Sequence, residues 1–249
     1  DSTPSLRLDT PLVAPGSSLL VSSVRYAFGK CLSSAMREKK CVYCGEEKEV
    51  TAEHVVPQGL YVDSHNAVIP CCDSCNNQKS DDDEYFMLVF AVLDSSKDHP
   101  VAQEIKEKVI RSLQKPKKAG YANMIERSAS NLEDQNDDGE TIQKTGLKVE
   151  VNRVNHIFEF ITQGLLYLEE NMYVDANFSV VSTFGHEKDT DSGKRLISRI
   201  KSDLANLPWV EIGDSGVFRY RYKLIEELPK SIWEMEIYNG RRVITMISE

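Results

Sequence analysis

Two C-x-x-C pairs constrain the fold of this chain more than any other feature of its sequence. Four thiolates at such spacing typically surround one zinc ion tetrahedrally, and they indicate a metal site more than a disulfide framework. A shared zinc would tie together two turns that lie far apart along the chain. The sequence therefore predicts a structural zinc bound by Cys41, Cys44, Cys72 and Cys75.

Polar residues that are suited to chemistry lie between and after these pairs. Glu53 and His54 precede Val55-Val56-Pro57, and Asn76 directly follows the last cysteine, with Lys79 three residues later. Residues 41–80 thus combine C-x-x-C, (D/E)-H-x-x-P and C-x-x-C-N-x-x-K in this order. The combination resembles the HNH endonucleases whose ββα-metal fold is clamped by a pair of zinc knuckles, although the resemblance covers only this segment.

The resemblance implies a role for each of these polar residues. His54 would be the general base that activates water, since the pKa of histidine lies near working pH. Glu53 and Asn76 would hold a catalytic Mg²⁺ or Mn²⁺, because both ions prefer oxygen ligands. Lys79 would lie within reach of a phosphate, unless it is an ordinary solvated lysine.

Some assignments within the motif stay open at this stage. The residue that supports the loop of the general base would be Asn66, and His65 is the alternative. Asn66 lies six residues before Cys72 and five before Cys71, so Cys71 competes with Cys72 as a zinc ligand. Adjacent residues of a strand point to opposite faces, so Glu53 and His54 would share a site only with local strand distortion.

The charge of the chain limits how it could bind nucleic acid. Its net charge of −9 argues against indiscriminate coating of DNA, but a local basic stripe remains compatible with it. The most basic segment includes Lys106, Lys108 and Arg111, which would contact phosphates or form a solvated helix face. No apolar run approaches the roughly 20 residues of a transmembrane helix, so we expect a cytoplasmic protein without a membrane partner.

Hydrophobic periodicity predicts the remaining elements. The acidic run 81–84 would begin an apolar helix, and Pro100 would begin a second helix. Residues 154–168 have helical spacing, whereas residues 218–224 and 233–237 alternate as strands do. Asn239-Gly240 predicts a hairpin turn into the last strand. Arg219 and Arg221 would pair across strands with Glu234 and Glu236, and the aromatic residues between them would enter the core.

These elements predict an α+β protein made of several parts. We expect a small zinc-clamped ββα-metal nuclease domain, a helical segment and a C-terminal α+β domain with an antiparallel hairpin. The predicted parts are an N-terminal arm and helix at 1–35, the nuclease domain at 36–85, the helical segment at 86–127, a linker or mobile loop at 128–146 and the accessory domain at 147–249.

The function that this resemblance favours is metal-dependent cleavage of DNA, most simply of double-stranded DNA. Similar HNH proteins include uncharacterised bacterial members and nucleases of restriction or phage defence. Two alternatives remain open: an RNA-cleaving enzyme with the same site, and a zinc-stabilised binding module without activity. The C-terminal domain would recognise a protein partner or regulator, and the oligomeric state is not predicted.

Overall fold

The computed structural model describes residues 39–135, 139–184, 191–225 and 229–249. The predicted arm and helix at 1–35, with Cys31, lie outside these residues. Helices and antiparallel sheets are mixed along the chain, which confirms the α+β class. All the described residues belong to one compact unit.

Two short hairpins and a long helix form the cysteine-rich region. Strand β1 (Lys39–Lys40) pairs with β2 (Glu47–Lys48), and β3 (Thr51–His54) pairs with β4 (Val68–Cys71), both antiparallel. Helix α1 (Asp73–Val92) follows β4 directly. We call β3, β4 and α1 the hairpin–helix unit. Its strand–strand–helix order agrees with the order that the sequence predicts for this region.

Helix α1 begins earlier than the sequence predicts. The acidic run 81–84 lies within the helix, and the first turn instead begins at Asp73, after the N-cap residue Cys72. The run therefore does not act as a helix start. Its side chains instead form ion pairs with other elements: Asp82 with Arg153 at 2.6 Å, and Glu84 with Lys118.

The middle of the chain contains two helices and a hairpin. Helix α2 (Pro100–Leu113) begins at the predicted proline, and α3 (Ala119–Ser128) follows it. The predicted linker at 128–146 is wrong, because β5 (Ala129–Gln135) and β6 (Thr141–Leu147) pair antiparallel there. Most of the described side chains of this hairpin are exposed, and its sequence has no apolar alternation that would reveal it.

The C-terminal half places a helix against each face of one antiparallel sheet. The strands are β7 (Ser179–Ser182), β8 (Val210–Ile212), β9 (Phe218–Leu224), β10 (Ser231–Ile237) and β11 (Arg241–Ser248). Their order in the sheet is β7-β11-β10-β9-β8. Helix α4 (Val151–Glu170) packs against β7 and β11, and α5 (Asp191–Leu204) packs against β9 and β10.

The predicted cross-strand pairs of the sheet are confirmed. Arg219 faces Glu236 and Arg221 faces Glu234 in the register of β9 and β10, and the Nε atom of each arginine lies 2.7 Å from a carboxylate oxygen of its partner. Phe218, Tyr220 and Trp233 are buried on the opposite face. Aromatic residues on these strands therefore build the core, as the alternation predicts.

The hairpin between β10 and β11 is also confirmed, but its turn is displaced by one residue. Tyr238 and Asn239 both have φ of 52°, and the N–H of Gly240 donates to the carbonyl of Ile237. A Cβ on Gly240 would lie 2.4 Å from the carbonyl oxygen of Ser95. Glycine is thus required for close backbone approach, while Tyr238 takes the left-handed conformation that favours glycine.

One hydrophobic core joins the hairpin–helix unit to the C-terminal sheet. It includes Val55 and Leu60 beside Phe158 of α4 and Trp233 of β10. The Tyr238 hydroxyl donates to the carbonyl of Leu60 at 2.8 Å, and Tyr61 makes a similar bond to Ile212. Residues 36–85 and 147–249 therefore share a core instead of forming separate ones.

Candidate functional site

Four cysteine sulfurs converge at one end of the hairpin–helix unit. The Sγ atoms of the cluster all lie within 4.8 Å of one another, and those of Cys44 and Cys72 are 3.8 Å apart. A tetrahedral zinc with Zn–S bonds of about 2.3 Å places its sulfurs about 3.8 Å apart. The four residues could therefore hold zinc, and they are the predicted ones: Cys41, Cys44, Cys72 and Cys75.

Cys71 is not part of this cluster, which resolves the choice between Cys71 and Cys72. The Cys71 side chain is fully buried, and its thiol donates to the carbonyl of Cys72 at 3.4 Å. Cys72 is the N-cap of α1, so its sulfur lies beside the first helical turn. Burial raises the pKa of Cys72, but hydrogen bonds from Ser74 and Cys75 outweigh burial and lower it to about 6.

Local backbone geometry brings the sulfurs of the first C-x-x-C turn, Cys41 and Cys44, toward the same zinc position. Gly45 has φ of 69°, and its N–H donates to the carbonyl of Cys41 at 2.9 Å, which closes the turn after Cys44. The N–H of Cys72 points at the sulfur of Cys41 at 3.4 Å. Such N–H···S contacts stabilise a thiolate, which is the form of cysteine that binds a metal.

His54 is the last residue of β3 and is half-buried. The ladder is regular up to the pair between His54 and Val68, so the predicted strand distortion is not present. Glu53 and His54 consequently point to opposite faces of the hairpin. The His54 ring packs edge-on against His65, with 4.8 Å between the ring centroids.

His65, and not Asn66, supports the loop that follows His54. One ring nitrogen of His65, Nε2, lies 2.9 Å from the carbonyl of Val56, and the other, Nδ1, accepts from the N–H of Ala67 at 3.3 Å. The ring is buried, whereas the Asn66 side chain is exposed. Burial lowers the pKa of His65 to about 4, so the ring is neutral and donates to Val56 through Nε2.

Lys79 is fully buried and is enclosed by two carboxylates. Its Nζ lies 2.8 Å from Oε1 of Glu53 and 2.7 Å from Oδ2 of Asp83, one turn further along α1. Burial lowers the pKa of Lys79, but the attraction of Asp83 and Glu53 outweighs burial and raises it. This placement corrects the expectation of a phosphate contact: the cation of Lys79 is internal, and it orients Glu53.

Glu53 and Asn76 retain oxygen atoms that suit a divalent cation. Lys79 engages Oε1 of Glu53, which leaves Oε2, and the Asn76 side chain makes no hydrogen bond within the described part of the chain. Asn76 lies one turn before Lys79, so both residues lie on the same face of α1. Hard oxygen donors of this kind fit Mg²⁺ or Mn²⁺.

The predicted basic segment on α2 has counter-ions of its own. Lys108 pairs with Glu104 at 3.0 Å and Arg111 with Glu107 at 3.5 Å, both one turn apart on an exposed helix face. Lys106, also on α2, is half-buried. These contacts are those of a solvated helix face, the second interpretation of this segment.

Asp83 and Gly164 belong to the candidate site although the sequence pattern did not single them out. Asp83 is recognisable only as one member of an acidic run. A Cβ on Gly164 of α4 would lie 2.8 Å from Cγ1 of Val55, the residue after His54, so glycine permits this contact. A helix that includes both residues places Asp83 one turn after Lys79, which the predicted helix start at 81–84 concealed, and no signal identified Gly164.

Comparisons with protein-family models, with curated proteins and with solved structures give no match to this chain. None of the helices within the described residues combines the length and the apolar character that crossing a bilayer requires. The site is thus defined by its own geometry: a four-cysteine cluster that could bind zinc, beside a histidine and a carboxylate on one strand.

Proposed function

We propose that this protein is an HNH-type endonuclease that hydrolyses phosphodiester bonds of DNA. The observation that carries the proposal is the convergence of the motif: the cysteine cluster closes the hairpin–helix unit at one end, and His54 ends β3 beside Glu53. The type of reaction is inferred from the resemblance of residues 41–80 to the HNH motif. A role in restriction or phage defence rests on that resemblance alone.

His54 is the general base of the proposed reaction. It is half-buried, and its ring contacts that of His65. Because His65 is neutral and bound to the backbone, it orients the ring without adding a second positive charge. His54 accepts a proton from the attacking water as its oxygen bonds to the phosphorus, the P–O bond to the leaving oxygen breaks, and the leaving oxygen takes a proton from solvent.

Glu53 and Asn76 supply the oxygen ligands of the proposed cation site. A bound divalent cation would neutralise the charge that develops on the leaving oxygen. Glu53 and His54 are adjacent at the end of β3, although their side chains point to opposite faces of the hairpin. Lys79 fixes the carboxylate of Glu53, and zinc-bound cysteines hold α1 against β4.

The proposal is tested by plasmid cleavage with and without Mg²⁺. The His54→Ala variant should lose cleavage by about 10²- to 10⁴-fold, since it removes the general base. Its zinc content should equal that of the wild type, because His54 is outside the cysteine cluster. A matched control is His156→Ala, whose ring pairs with Asp82 at 2.9 Å away from β3 and which should cleave normally.

Two outcomes would change the assignment. Cleavage of a matched RNA with no cleavage of DNA would make the protein an RNA-cutting enzyme with the same base and ligands. A folded, zinc-loaded wild type that cuts neither substrate would leave a zinc-stabilised binding module. Cysteines that bind metal as thiolates also fit a reducing compartment such as the cytoplasm, which we include in the proposal.

A further inference from the structure

Helix α5 carries four basic and two acidic residues and has a buried apolar side. Its apolar side chains Ile197, Ile200 and Leu204 pack toward Ile244 on the outer face of the sheet. The opposite side of the helix is exposed and carries basic residues within two turns: Lys194, Arg195, Arg199 and Lys201. An acidic protein thus presents a concentrated positive face on one fixed helix.

These cations have few counter-ions. Among the described residues, Lys194 pairs with Asp191 at 3.5 Å, whereas Arg195, Arg199 and Lys201 have no ion pair. On α2, by contrast, Lys108 and Arg111 each have a glutamate one turn away. Unpaired charges attract an external polyanion without first breaking internal contacts, so α5 is the better anion surface.

The positive face continues beyond the end of α5. The guanidinium of Arg221 donates to the carbonyl of Ala205. The ring of Trp209 lies over the same guanidinium, with 4.5 Å between the ring centroid and Cζ of Arg221. Arg219 and Arg242 lie beside the same ring, at 4.7 and 5.5 Å. Three guanidiniums here face two buried carboxylates, and the Arg242 side chain is 45% exposed.

Strand β8 connects this cluster with the candidate nuclease site. Trp209 precedes β8, and the strand ends at Ile212, whose carbonyl accepts from Tyr61. A Cβ on the next residue, Gly213, would lie 3.1 Å from Cβ of His65. Three residues of strand span about 10 Å, so β8 is a short link between the arginines beside Trp209 and the neighbourhood of His65.

We infer that the exposed side of α5, together with Arg219 and Arg242, binds the phosphodiester backbone of DNA. We call these residues the α5 surface. Ser198 and Ser202 on the helix add exposed hydroxyls, which also contact phosphates, and the exposed side of α5 has no aromatic residue that would read bases. The choice of DNA as ligand rests on the proposed function.

A lipid surface fits the α5 surface less well. Amphipathic helices bind membranes by inserting their apolar side, and here that side is already packed against Ile244. Only Leu196 adds a large exposed apolar side chain on the helix. The geometry therefore favours an anion that binds through charge alone, which is the property of a sequence-independent DNA contact.

The test compares two charge-matched triple variants of the full zinc-loaded chain. One replaces Arg195, Arg199 and Lys201 by Gln, and the other replaces Lys106, Lys108 and Arg111 by Gln. Binding to a fluorescein-labelled DNA duplex is measured by anisotropy over a range of salt, without divalent cation. The α5 variant should bind at least about 10-fold more weakly, with a salt slope shallower by about 0.9 for each lost contact.

The inference is overturned if the α2 variant loses as much affinity as the α5 variant, or if the wild type binds phosphatidylserine vesicles and no DNA. Acetylation footprinting of the wild type checks the surface without any substitution, because DNA should protect Lys194 and Lys201. Unprotected lysines in a DNA-bound protein would also contradict it. Cleavage is assayed separately, so DNA binding through α5 without cutting would remove the nuclease proposal alone.

Discussion

Lys79 is the residue on which the local electrostatics of the site depends. Its charge is balanced inside the protein by Glu53 and Asp83, and its side chain has no exposed surface. A buried lysine is tolerated only when carboxylates replace the water that it loses. Lys79 thereby orients Glu53 from α1 across to β3, a contact between positions 26 residues apart.

Replacing Lys79 by Met should destabilise the protein strongly. The change leaves Glu53 and Asp83 close together without a counter-ion, which costs about 2–4 kcal/mol of unfolding free energy. The measurement is urea denaturation of the zinc-loaded protein. Lys108→Met is the matched control, since its pair with Glu104 is exposed and should change stability by less than about 0.5 kcal/mol. Equal effects of the two changes would refute the internal role of Lys79.

His65 makes stability depend on pH. Its pKa is about 4 in the folded protein, below the ordinary value of 6.5, because the ring is buried. Between these two pH values the unfolded chain therefore binds more protons at this residue than the folded protein does. The contribution of His65 to the free energy of unfolding is complete above about pH 6.5 and is lost as the pH falls toward 4. At most it amounts to about 3 kcal/mol.

The comparison of wild type with His65→Asn isolates this effect. Wild type should be the more stable protein at neutral pH, and the difference should shrink on acidification to a pH of about 4.5. Urea unfolding at each pH gives the values. Zinc loss in acid affects both proteins alike and cancels in the difference. A difference that stays constant with pH would mean that His65 does not titrate in this range.

At the scale of elements, α4 packs against the strand end that carries the proposed general base. The helix approaches β3 so closely that Val55 contacts Gly164, and residues on its other turns reach the sheet, where Thr162 hydrogen-bonds Thr245 at 2.7 Å. The helix thus packs between the C-terminal sheet and Val55, the residue after His54, and fixes their relative positions. Interhelical and helix–strand packing of this kind tolerates little added volume.

Gly164→Ala should be destabilising although alanine favours helices. A helical Gly→Ala change normally stabilises by roughly 1 kcal/mol, but here the new Cβ would meet Val55, and overpacking costs about 1–3 kcal/mol. Val55 must shift, so DNA cleavage should fall as well. Gly120→Ala in α3 is the control: nothing lies within 4 Å of its new Cβ, and it should be stabilising. Thermal melts and plasmid cleavage of both variants check this, and a stabilised G164A would contradict the packing.

At the scale of the whole molecule, the cysteine cluster lies at the end of the hairpin–helix unit where few apolar side chains are buried. Among the described residues, Val50 is the one buried aliphatic residue packed with the sulfurs, and Tyr43 is partly buried beside it. The large core instead extends from Val55 through α4 to Trp233. Zinc bound by the four cysteines would therefore replace hydrophobic burial at this end, whereas burial stabilises the remainder.

Removal of zinc should lower the stability of the whole chain. A strong zinc chelator releases the two knuckles, and because their neighbours share a core with the C-terminal sheet, both parts should unfold together at a lower temperature. Circular dichroism and tryptophan fluorescence, which reports on Trp209 and Trp233, should give the same reduced Tm. An unchanged fluorescence transition after zinc loss would indicate an independent C-terminal domain.

The sequence by itself determined the features that depend on near neighbours in the chain. The C-x-x-C spacing predicted the four-sulfur cluster, Pro100 began α2, and alternation in β9 and β10 predicted which side chains face each other. Tertiary structure alone decided that Cys72, His65 and Lys79 take the roles they have. Each role depends on a partner brought near by packing, such as Val56 or Glu53, and spacing along the chain does not encode those distances.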